Sequence, residues 1–137
     1  MIWDILLTAA LEASLGLLAQ AGFGDEVRDL KQRLARTSER KRRAALERAF
    51  AEAGKTAEEA LKPLLEHRPF QEEVVSGLLD PAVGFDVQAA AEVWKDRFPE
   101  HARALRRFFT TLENALIADD TWGPILARYQ QLRQKPE

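Results

Sequence analysis

The residues able to do chemistry in this chain are few, and their spacing decides what they can do. His67 and His101 lie far apart, and neither has a second ligand at metal-binding spacing. Each reads as a surface or helix-end histidine. His67 falls near a helix C-terminus. Ser14, Ser38 and Ser76 have no nucleophile-elbow setting. Asp119-Asp120 is an adjacent carboxylate pair, but neighbours at a helix junction do not converge on one ion, and capping accounts for them better. Glu58-Glu59 and Glu72-Glu73 read as solvated helix surface. Neither a Gly-x-x-x-x-Gly-Lys loop nor a Gly-x-Gly-x-x-Gly turn is present to cradle phosphate. Cysteine is absent, which removes disulfides, thiolate metal sites and cysteine nucleophiles and suits a reducing cytoplasm. The residues point to no catalysis, no metal and no cofactor. Trp3, Trp94 and Trp122 read as core or interface anchors.

What remains is a concentration of positive charge. Between Asp25 and Arg48 there are nine Lys or Arg against five Asp or Glu. Arg36, Arg40, Lys41, Arg42 and Arg43 form the candidate interaction patch. Positive charge at a helix N-terminus opposes the helix dipole, so the cluster carries a small cost, partly offset by Glu39 and Glu47. The plain reading is a solvated face. The functional reading is a surface for an acidic partner, anionic lipid or nucleic acid. No aromatic residue interleaves with the run to stack on bases, and the chain as a whole carries a formal charge of −2.

The elements that must position these groups are helices. The 137 residues suit one domain with a sizeable core. Ala, Leu, Glu, Arg and Gln dominate, β-branched residues are sparse, and no alternating strand pattern or tight hairpin turn appears. The spacing predicts an all-α, irregular bundle of about seven or eight helices spanning 1–134. Two of them are long, about 2–21 and 100–118, and residues 135–137 begin a linker or tail.

The stretch Ile2–Ala21 is the longest apolar run. Asp4, Thr8 and Glu12 recur every four residues and make one narrow polar stripe on a helix. A helix apolar in nearly every other direction must be covered, which predicts a central helix with Leu7 and Leu11 buried and the stripe in water. Gly22-Phe23-Gly24 ends it. Asp25 caps a helix to about Arg36 carrying Val27, Leu30 and Leu34. Thr37-Ser38-Glu39 reads as the cap of another that runs to Gly54 with Leu46, Ala49, Phe50 and Ala53 inward. Thr56-Ala57-Glu58-Glu59 reads as a capping box. Pro63 kinks that helix or starts a new one, and Pro69 opens a short helix burying Phe70, Val74, Val75, Leu78 and Leu79. Residues 80–84 form a turn. Asp86 caps a helix packed through Val87, Ala90, Ala91, Val93 and Trp94. The second long helix buries Leu105, Phe108, Phe109, Leu112, Leu116 and Ile117. The last, from about Trp122, buries Ile125, Leu126, Tyr129 and Leu132.

Several strings, in this order, resemble a known family. They are Met1-Ile2-Trp3 to Leu18, Val27-x-x-Leu30-Lys31-x-x-Leu34, and Arg42-Arg43-Ala44-Ala45-Leu46-Glu47-Arg48-Ala49-Phe50. Phe108-Phe109-x-x-Leu112-Glu113-x-Ala115-Leu116 and Asp120-x-Trp122-Gly123-Pro124-Ile125-Leu126 follow. The pattern resembles the all-helical regions that precede NACHT-type (STAND) NTPase modules in large bacterial proteins. That resemblance implies a cytoplasmic N-terminal adaptor or effector domain in defence or stress signalling. The NTPase would then lie in cis, outside this chain, with no catalytic residue here.

The leading expectation is therefore a non-catalytic interaction domain that binds protein partners or copies of itself. An alternative is a membrane-acting bundle using residues 2–21. A third, less favoured, is nucleic-acid binding through Arg40–Arg43, opposed by the overall acidity and the missing aromatics.

Overall fold

The computed structural model describes residues 2–20, 24–80 and 84–134. Eight helices follow in order: α1 (Ile2–Gln20), α2 (Gly24–Arg36), α3 (Glu39–Lys55), α4 (Lys62–Leu65), α5 (Arg68–Leu78), α6 (Val87–Arg97), α7 (Ala102–Ala118) and α8 (Gly123–Gln134). The all-α bundle expected from composition is what forms. Three helices are long rather than two, because α3 runs 17 residues, the same length as α7. Between α5 and α6 the chain makes one two-residue antiparallel pairing, β1 (Leu79–Asp80) with β2 (Gly84–Phe85). It satisfies backbone groups where the chain reverses, and the Asp86 N–H continues it by donating to the Leu78 carbonyl at 2.9 Å.

Local signals place most helix ends. The Ser38 hydroxyl accepts from the Lys41 N–H at 3.2 Å at the start of α3. Asp86 accepts from Gln88 and Ala89 at 2.9 and 3.2 Å at the start of α6. Pro63 and Pro69 sit in the first turns of α4 and α5, where a missing N–H costs nothing. Thr56 departs from expectation. Its hydroxyl donates back to the Ala53 carbonyl at 3.4 Å, so it closes α3 instead of opening a helix through a capping box. The next helix waits for Pro63. His67 and His101 stand at the N-cap positions of α5 and α7, with no side-chain cap bond.

The core is built around α7, which packs on α3, α6 and α8. Ala102, Ala104, Leu105, Phe108, Phe109, Leu112 and Leu116 are all buried on it. Rings link it to its neighbours. Phe108 meets Phe50 of α3 edge-on at 5.1 Å, Phe108 meets Phe109 at 5.1 Å, and Phe109 meets Trp94 of α6 at 5.4 Å. On α6, Val87, Ala90, Ala91 and Trp94 are buried as expected, whereas Val93 is 40% exposed because it lies at the edge of that face.

The central position expected for α1 belongs to α7. Helix α1 lies outside that hub, against α2, α5 and the 84–85 segment. Leu7, Ala10, Leu11 and Ser14 are its buried line, and the Ser14 hydroxyl donates to the Ala10 carbonyl at 2.8 Å. The opposite line is uncovered: Ile5 is 60% exposed, and Ala9, Glu12 and Ala13 face solvent. Glu12 reaches water as the stripe predicts. The side chains of Trp3, Asp4 and Leu132, and residues 21–23, 81–83 and 135–137, lie outside the described residues, with the expectations that fall on them.

The joint between α7 and α8 sets a steric limit at Gly123. A Cβ there would collide with the Ile117 carbonyl oxygen, which is backbone and cannot swing aside. Gly123→Ala is expected to lose about 1–3 kcal/mol of stability through overpacking. Urea unfolding of the variant checks this; an unchanged midpoint would remove the steric account.

Candidate functional site

The charged run at the start of α3 does not form one patch. Successive residues on a helix turn by about 100°, so four in a row fan around the axis. Lys41 faces a hollow of about 340 Å³ that it shares with Ala44, Arg48, Asp119, Asp120 and Thr121. Arg42 and Arg43 face the other way, toward α1. Arg40 and Arg36 are exposed, Arg36 at the end of α2, and neither makes an ion pair among the described residues. Arg43 pairs with Glu39 at 3.2 Å.

Arg42 differs from the others because it is built into a joint. Its Nη1 donates to the Leu34 carbonyl near the end of α2 at 2.8 Å. Its own carbonyl accepts from the Trp122 indole N–H at 3.0 Å. One residue thus ties α2 to α3 and α3 to the start of α8. Its Nε is buried and has no hydrogen-bond partner. Buried guanidinium nitrogens normally find an acceptor, and this one, closed off from solvent, is an exception.

Two hollows meet at Arg42. One, of about 400 Å³, is lined by Ile5, Thr8, Ala9 and Glu12 of α1 and by Glu39, Arg42 and Arg43 of α3. The other, of about 310 Å³, is lined by Glu12, Lys31, Leu34, Ala35 and Arg42. Glu12 and Arg42 line both, so the two hollows form one groove beside the uncovered face of α1. Its walls are mixed. Ile5 and Ala9 are apolar, Arg42, Arg43 and Lys31 are basic, and Glu12 and Glu39 are acidic. Such a groove suits a side-chain-bearing surface more than a small molecule, since it is open and offers no converging catalytic groups.

Among the described residues no group of three or more His, Asp or Glu is placed to hold a metal ion. Asp119 is occupied elsewhere. Its Oδ1 accepts from the Thr121 and Trp122 N–H groups at 2.8 and 3.4 Å, and its Oδ2 meets Arg48 at 3.0 Å. This is the capping role expected of it, with a long-range ion pair added. No helix among the described residues is long and apolar enough to cross a membrane.

The sequence pointed to Arg36, Arg40, Lys41, Arg42 and Arg43, and of these the structure brings only Arg42 and Arg43 into the groove. It adds Ile5 and Ala9, which no motif singles out, together with Glu12 of the polar stripe and Lys31, neither of which was placed in the patch. The available signal was the run of small residues Ala9, Ala13 and Gly16 beside Ile5, about one turn apart on a single face of the helix. Comparison with known protein families, characterised proteins and solved structures returned no match.

The Asp119 carboxyl yields a pH prediction. Burial pushes its pKa up, but the Thr121 and Trp122 N–H groups and Arg48 together outweigh burial, so it sits below the ordinary 3.8. A depressed folded-state pKa contributes stability above the unfolded value and loses it as pH falls through the folded one. Asp119→Ala is expected to cost about 1 kcal/mol at neutral pH, as for a lost N-cap. The gap from wild type should narrow as pH drops below about 4. Thermal melts from pH 7 to pH 3 read it; a constant gap would mean the carboxylate charge contributes nothing.

Proposed function

We propose that this chain is a non-catalytic helical interaction and signalling domain, the N-terminal adaptor or effector module of a NACHT/STAND-type NTPase. It would work in the cytoplasm, with the nucleotide-driven switch in cis and its motifs outside this chain. One observation carries the interaction part. A large aliphatic side chain, Ile5, stands 60% exposed on a helix whose opposite side is core, next to a groove with basic and apolar walls. An exposed aliphatic side chain beside a groove with basic and apolar walls supports a docking surface there. The family part rests on the ordered helical strings and aromatic positions described above.

Membrane insertion would draw on the same helix, and nucleic-acid binding on the basic run. The first would require α1 to leave its contacts with α2 and α5, because no described helix crosses a membrane as it stands. The second is weakened by the fanning of Arg40 to Arg43 around α3.

The docking reading is tested on α1. Ala9 is exposed and lines the groove, so Ala9→Arg leaves the core untouched. Tagged wild-type chain expressed in the source cells is expected to recover its partner, and Ala9→Arg to recover about ten-fold less, a loss of the size expected from a mismatched interface centre. Circular dichroism melts should coincide. Equal recovery by both would place the docking surface elsewhere. The NTPase part fails if the reading frame closes directly after Glu137.

A further inference from the structure

We draw no further inference here: the strongest candidate, the open face of α1 at Ile5, Ala9 and Glu12 beside the groove at Arg42, belongs to the site already described, and nothing in the structure shows what covers it.

Discussion

The chain of rings from Phe50 through Phe108 and Phe109 to Trp94 is the contact on which the rest of this bundle depends. It runs across α3, α7 and α6 with centroid spacings of 5.1, 5.1 and 5.4 Å. Edge-on aromatic contacts contribute about 0.5–1.5 kcal/mol each beyond the area they bury. Their larger effect is geometric. Adjacent phenylalanines on one helix point about 100° apart, so Phe108 and Phe109 hold α7 against α3 on one side and α6 on the other. With α7 clasped in this way, the other helices have to find places around a hub already formed.

That ordering explains why α1 lies where it does. By composition it is the greasiest helix, and hydrophobicity alone would draw it to the centre. The centre is filled by larger rings on α7, whose charged residues Arg103, Arg106 and Arg107 stay on the exposed side. Among its described side chains, helix α1 buries Leu7, Ala10, Leu11 and Ser14 on one line and leaves Ile5, Ala9, Glu12 and Ala13 exposed on the other. The exposed line is mostly small, so leaving it in water costs little: Ala and Gly expose far less apolar surface than Leu or Phe would. Ile5 is the exception, and it is the residue that makes the face more than bare helix.

Arg42 shows a second way in which packing gives a residue a role. Four basic residues in a row look interchangeable on paper. Only Arg42 meets the Leu34 carbonyl and offers its own carbonyl to Trp122. It thereby joins the end of α2 to α3 and α3 to the start of α8, while its buried Nε has no hydrogen-bond partner. Arg48 does similar work at longer range, reaching Asp119 across 71 positions of sequence. The groove at α1 is bounded by the first of these joints.

Helix identity, most helix ends and most of the core faces were determined by the sequence, because they are local or periodic. Ser38 and Asp86 carry caps within three residues, Pro63 and Pro69 fix first turns, and the spacing of Phe108, Leu112 and Leu116 marks a buried stripe without reference to any partner. Thr56 was misleading because two local arrangements compete for its hydroxyl, and the end of α3 won. What only the tertiary structure decided was which apolar helix sits in the middle, which of Arg40 to Arg43 faces α1, and that Ile5, Glu12, Lys31 and Arg42 border one groove. Those outcomes depend on which faces of different helices compete for the same buried volume, and that competition is settled between elements far apart in the chain. Periodicity tells how apolar a face is; whether another helix covers it depends on every other helix in the bundle.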